Sequence, residues 1–252
     1  MEKIRALYVT GAKGNGLAAY EKYENKLFEE LCKMPTLSIS EVSASSPIKF
    51  PLHQHALDYG VVPLKVRLSH FNDIVHAAHQ GLSHVLLAHN KRRVVTCLDV
   101  IPFAFPHEYA DSWLKKKMLA LMAKGIRKAD AVITISDFSK LEIQKYLGVQ
   151  AERIFVAYPA VDHSIFKPTG AESKLVKKKK GEKIVLYVGS EQPRKNLDVL
   201  LSAFAIAKMQ APNLRLVKVG KPQWKTGRQE FLAKARQLGI LRMNGVVDAR
   251  RD

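Results

Sequence analysis

Short apolar runs that end in glycine or a small polar residue recur along this chain. Each is followed by a stretch with helical spacing, and the pattern halts once and then restarts. Residues 4–9 form such a run and lead into Gly11. Residues 17–31 follow with apolar Leu17, Tyr20, Leu27, Phe28 and Leu31 on one helical face. Residues 37–42 alternate as a second strand. Residues 43–60, with Ser, Pro, His and Gly, read as a long loop. Strands are predicted at 73–77, 93–100, 131–135 and 154–157, and the second of these is as apolar as a strand covered on both faces should be. A basic helix is predicted over 111–128. Another starts at Ser136 or Asp137, runs through Leu147 and stops at Gly148. This βαβα rhythm implies a parallel sheet with helices on both faces.

The halt falls between 163 and 182, where Pro168, Gly170, four lysines at 177–180 and Gly181 interrupt the periodicity. The rhythm resumes with a strand at 184–188, a helix at 197–208, a strand at 214–219, a helix at 229–238 and a strand at 243–247. The division that follows is a first α/β domain over 1–168, a basic linker over 169–182 and a second α/β unit over 183–252. The second unit has fewer strands than the usual sheet of about 5–6.

The formal net charge of +18 is concentrated at 91–93, 115–117 and 177–180. Such an excess attracts phosphate-bearing partners. No recognised nucleic-acid motif accompanies it, so nucleic acid is not a predicted partner. The helix at 111–128 sets Trp113, Leu114 and Met118 beside Lys115, Lys116 and Lys117. That is the composition of an interfacial helix on an anionic membrane surface, and equally of a core-packed helix with a basic outer face. No apolar run reaches the roughly 18 residues that span a bilayer. The first residues carry charge inside their apolar stretch and read as a strand rather than a secretory signal. Cys32 and Cys97, far apart and outside any CxxC spacing, read as free thiols in a reducing compartment, the cytoplasm, with peripheral membrane attachment as an option.

Two glycine-bearing loops can carry chemistry. Gly14-Asn15-Gly16, between the first strand and first helix, lets backbone approach a ligand at a helix N-terminus. With Ala19 it also fits a loose dinucleotide fingerprint, for which Glu41 at the end of the second strand is the matching acid. The dehydrogenase signature YxxxK is absent. Gly189-Ser190, followed by Arg194-Lys195 ahead of a helix, suits a diphosphate, because Arg supplies planar donors and Lys a point charge. Stabilising the charge on a departing pyrophosphate is electrostatic catalysis.

At this point the chain resembles the family 4 glycosyltransferases with the GT-B fold. The resemblance is carried by Ala129-Asp130-Ala131-Val132-Ile133-Thr134-Ile135-Ser136, by Leu147-Gly148, by Val161-Asp162 with Phe166-Lys167-Pro168, by Gly189 through Asn196, and by Val94-Val95-Thr96-Cys97-Leu98-Asp99 with Phe105-Pro106-His107-Glu108-Tyr109. It implies a Rossmann-like acceptor-side domain, a partial Rossmann-like donor-side domain, and retaining sugar transfer from a nucleotide-diphosphate sugar without a metal or cofactor. No DxD is present to hold a divalent cation. Carried over, Gly189, Ser190, Arg194 and Lys195 bind the donor diphosphate. Gly14, Asn15 and Gly16 line the acceptor and phosphate side, and Asp99 is the catalytic residue at the cleft floor. The acceptor stays open among a lipid-linked glycan, a polysaccharide and a small molecule.

Two departures accompany the resemblance. The family has histidine directly before that aspartate, and here it is Leu98, with His76, His79 and His107 nearby in sequence. The family's paired glutamates lie downstream of the segment that residues 244–248 resemble, beyond Asp252. The expectation is therefore a chain that is truncated, or completed by another chain or a second copy. A non-catalytic sugar-nucleotide or phosphate-binding module is the alternative, with an NAD-dependent oxidoreductase behind it.

Overall fold

β1 (Ile4–Thr10) forms because its apolar residues can be covered on both faces, and its last four residues are buried. The computed structural model describes residues 3–11, 18–43, 57–69, 72–164, 166–167, 179–220, 222, 226–241 and 246–249. Gly14, Asn15 and Gly16, with most of the predicted linker, lie outside the described residues. Two units are described, Met1–Asp162 and His163–Asp252, each by itself.

In the first unit, β1 is followed by α1 (Ala18–Cys32), β2 (Leu37–Ser43), α2 (Val62–Leu68), β3 (Ile74–Ala77) and β4 (Arg92–Thr96). Two short helices come next, α3 (Ile101–Ala104) and α4 (Pro106–Tyr109). They are followed by α5 (Trp113–Lys128), β5 (Ala131–Thr134), α6 (Asp137–Leu147) and β6 (Ile154–Val156). The strands form one parallel sheet in the order β2-β1-β3-β4-β5-β6. The order reverses between β1 and β3. A crevice opens outside the carboxyl ends of the strands at such a switch point, and ligands of open α/β sheets bind there.

Register is fixed by the same device twice. Asp73, just before β3, accepts from the Arg5 backbone N–H and its guanidinium, at 3.0 Å each to the nearest carboxylate oxygens. Asp130, just before β5, does the same for Arg93, with the backbone bond at 2.7 Å. The core beneath joins Leu7, Val9, Val75, Val95, Val132 and Ile154 of the strands to Val66, Ile126, Ile143 and Leu147 of the helices.

Several predicted boundaries shift. The strand predicted over 93–100 ends at Thr96, because Cys97 to Val100 turn into α3, with Pro102 at its start. Part of the loop predicted over 43–60 is a wide helical turn at Leu57–Val61 that runs into α2. A 3-10 segment, Gln80–Ala88, was also not predicted. Ser136 rather than Asp137 caps α6: its side chain accepts from Ser139 N–H, and Gly148 closes the helix with φ 65°. The basic helix packs by only part of its length, with Ala123, Gly125 and Ile126 buried. Gly125 lies against the Gln80–Ala88 segment so closely that a Cβ there would come within 2.1 Å of the Ser83 carbonyl oxygen.

The second unit holds β7 (Lys183–Val188), α7 (Leu197–Gln210), β8 (Leu214–Val219), α8 (Gly227–Gln237) and β9 (Val246–Ala249). Its three described strands are parallel in the order β7-β8-β9. Leu197, Leu201, Phe204, Leu216, Phe231 and Ala235 form its core.

Candidate functional site

The switch point between β1 and β3 gathers polar residues from three elements. His79 follows β3, Glu24 rises from α1, and Gly11 ends β1. His79 Nε2 lies 3.2 Å from Glu24 Oε1, both side chains being almost fully buried. The Nδ1 atom of the same ring accepts from Gly81 N–H at 2.9 Å. In the neutral ring the proton is therefore on Nε2, the atom facing the carboxylate. Glu24 Oε2 accepts from Gly11 N–H at 3.3 Å. A Cβ on Gly11 would sit 3.2 Å from His79 Nε2, a tight fit that the histidine ring would have to ease by a few tenths of an ångström. Burial pushes Glu24 up to about 7. Burial also holds His79 down at about 4, helped by the nearby His84.

The network continues to Asp99. The Tyr20 ring stacks on His79 with centroids 5.2 Å apart. Its hydroxyl donates to Asp99 Oδ2 at 3.1 Å and accepts from Gln80 Nε2 at 3.0 Å. Gln80 Oε1 accepts from Leu98 N–H at 3.1 Å, and Asp99 Oδ1 accepts from Ile101 N–H at 3.1 Å. Asp99 thus holds the turn into α3 with one oxygen and α1 with the other. Burial, followed by the charge of Asp99, raises the Tyr20 pKa, so this hydroxyl is a donor at neutral pH.

A cavity of about 590 Å³ opens beside this network, within the usual range for a ligand pocket. Tyr20, Leu98, Asp99, Phe105, Phe138 and Ser139 are among its walls. Leu98 lines the cavity, and its carbonyl oxygen accepts from Ser139 Oγ at 3.4 Å. His76 is buried on Thr96 Oγ1 at 2.9 Å and is held at about 4 by that burial. His107 is exposed on α4. Glu41 pairs with Thr10 Oγ1 at 2.7 Å. Sequence reasoning placed Asp99 here but missed Glu24 and Gln80, and named His79 without a partner. Glu24 lies within α1, and His79 and Gln80 just after β3, so no local motif joins them.

In the second unit, the carboxyl edge of the sheet is formed by the loops after β7 and β8. Gly189 has φ 155° and its N–H donates to Val219 O at 2.9 Å. Ser190 O accepts from Tyr187 Oη at 3.0 Å. A 3-10 turn, Pro193–Lys195, and Asn196 with φ 49° then deliver the chain to α7. Arg194 and Lys195 are exposed, and Arg194 Nε donates to Gln192 Oε1 at 2.9 Å. Glu191 turns inward and was not singled out in the sequence. It is ion-paired with Lys218 of β8 and with Arg228 of α8.

The Glycosyltransferase Family 4 model matches residues 41–165, and the model for glycosyl transferases group 1 matches residues 170–244. The chain is similar to O-antigen chain mannosyltransferase B of Escherichia coli, 29% identical over 140 residues. That match covers 54% of this chain and 35% of the relative, so it spans about a third of that protein's length. The fold is that of sucrose-phosphate synthase from Thermosynechococcus elongatus, with a TM-score of 0.70 at 17% identity over 99% of this chain and 71% of that one. It is also that of Anabaena Alr3699/HepE, solved in complex with UDP and glucose, with a TM-score of 0.61 at 18% identity over 98% and 69% of the two chains. The two family matches fall in tandem, in the order of the two α/β units. The chain belongs to the family 4, group 1 glycosyltransferases.

Proposed function

We propose that the chain acts in sugar transfer from a nucleotide-diphosphate donor to an acceptor hydroxyl, by a retaining, metal-independent route. The observation that carries this reading is the Gly189–Asn196 loop. It presents exposed Arg194 and Lys195 at the carboxyl edge of a parallel sheet, immediately before α7. Two exposed cations and a helix N-terminus can take up the charge of a departing nucleoside diphosphate, the task a divalent ion performs in other transferases. On the first unit, the cavity beside Asp99 and Tyr20 is the acceptor side. The mannosyltransferase relative and the UDP and glucose held by HepE support hexosyl donors. Calorimetric titration with UDP- and GDP-sugars tests the reading. Saturable binding of one of the two series is expected, and heat-free titration with both would overturn it.

A second reading concerns where the protein works, and the start of α5 favours it. Trp113 is 70% exposed and Leu114 45%, directly ahead of exposed Lys115, Lys116 and Lys117. Lysine Nζ of residue 117 lies 5.1 Å from the Trp113 ring centroid. We propose that this end of α5 docks on an anionic membrane surface. No helix among the described residues is long and apolar enough to cross a membrane. Sedimentation with phosphatidylglycerol vesicles is expected to pellet the protein, with phosphatidylcholine vesicles failing to do so. Equal pelleting by both would refute the docking.

A further inference from the structure

A lysine is fully buried in the second unit. Lys218 lies in β8, in the run Leu214–Val219, with no exposed side-chain surface. An unpaired ammonium does not survive such burial, so its partner defines its purpose. That partner is Glu191, from the loop after β7, which is itself 2% exposed at the side chain. The same carboxylate also holds Arg228, the second residue of α8. Lys218 Nζ and Arg228 Nη2 both donate to Gly220 O, at 3.1 and 2.6 Å. One carboxylate, two cations and one carbonyl therefore tie together the β7–α7 loop, the end of β8 and the start of α8.

The backbone is fitted to this cluster. A Cβ on Gly227 would lie 2.8 Å from Glu191 O, and a Cβ on Gly220 would lie 2.5 Å from Gly189 O. Glycine is needed at both places for the loops to meet. The cluster carries a net charge of one positive unit at the sheet edge that also bears Arg194 and Lys195.

We propose that Glu191 is a positioning residue of the donor site. It fixes the Gly189–Asn196 loop from below and holds Arg228 at the sheet edge as a third cation for the donor's diphosphate. This rests on the donor-binding reading given above. Lys218, too deep to meet a ligand, balances Glu191 so that Arg228 keeps a net positive field. Burial works against the Glu191 carboxylate, but the hydrogen bond and charge of Lys218 outweigh it and hold its pKa below the usual range.

The test measures binding of UDP, GDP, uridine and guanosine to the full chain and four variants. Arg228→Gln is expected to weaken the diphosphate about tenfold while leaving the corresponding nucleoside unchanged, and Arg228→Lys to recover part of the loss. Glu191→Gln is expected to weaken the diphosphate by at least as much. Because that variant can fail to fold, Glu191→Leu with Lys218→Val replaces the buried pair by apolar side chains; it is expected to fold and still bind the diphosphate weakly. Undiminished diphosphate binding in Arg228→Gln and in the apolar pair would overturn the proposal alone. Equal weakening for nucleoside and diphosphate would also overturn it, as a purely structural role. Failure of the parent chain to bind either diphosphate would sink the donor reading and this proposal with it.

Discussion

His79 presents its Nε2 atom to the Glu24 carboxylate at 3.2 Å while its Nδ1 atom is committed to Gly81 N–H. One residue at the end of β3 thereby fastens α1 to the base of the first glycine loop, at the point where strand order reverses. A charge change on either partner is a change at the site.

This arrangement gives the fold a defined pH response. His76 and His79 are held at about 4, below the ordinary 6.5, so the folded state keeps them neutral. The stability they contribute is full above pH 6.5 and is lost as pH falls toward 4, by about 2 kcal/mol for each between pH 6.5 and 5. Glu24 acts in the opposite sense. It is raised to about 7 from 4.5, so stability falls as pH rises from 4.5 to 7. Glu24→Gln removes that second slope. Urea midpoints of this variant should climb more steeply between pH 5 and 6.5 than those of the parent; parallel curves would count against the buried pair.

Tyr20→Phe removes the hydroxyl that joins Gln80 to Asp99. Two polar side chains then lose a partner in a largely buried setting, a loss of about 1–3 kcal/mol. Thermal melts should show the lower midpoint. In a transfer assay, turnover should fall while the donor KM holds, because the network belongs to the first unit.

Lys195→Ala and Arg194→Ala should behave in the reverse way. Both side chains are exposed, so unfolding midpoints should stay within about 0.5 kcal/mol of the parent. Affinity for the sugar nucleotide should drop about tenfold for each, as expected for loss of a hydrogen bond between charged groups. A variant that binds the donor normally would remove that residue from the site.

Gly125→Ala adds one methyl group to α5 where the Ser83 carbonyl leaves no room. Forced overpacking of this kind costs about 1–3 kcal/mol. Chemical denaturation should show that loss, and an unchanged midpoint would mean that the helix can shift away from the Gln80–Ala88 segment.

The strands of both units were legible in the sequence because a parallel sheet covered on two faces demands apolar runs of a fixed length. Helix ends were legible where one residue type is demanded, as with Ser136 and Gly148. The Leu57–Leu68 segment was not, since Pro63 and a polar, glycine-bearing approach look the same in a loop and in the first turn of a helix. Asp99 and the Arg194-Lys195 pair could be named from local motifs. Glu24 and His79, 55 positions apart, meet only because β3 returns beside β1. Glu191 and Lys218 were invisible for a related reason. A lysine inside an apolar strand reads as an edge residue until a carboxylate from another strand's loop is found beneath it.

The contact between Gly189 and Gly220 divides the second unit's edge into a part that tolerates change and a part that does not. Two main chains touch there with no space for a single methyl group, so backbone contact joins the Glu191 side chain in anchoring the loop. Ser190, Gln192, Arg194 and Lys195 can be exchanged without moving that anchor. A library randomised at those four positions, with both glycines kept, would sample ligand preference on a constant frame.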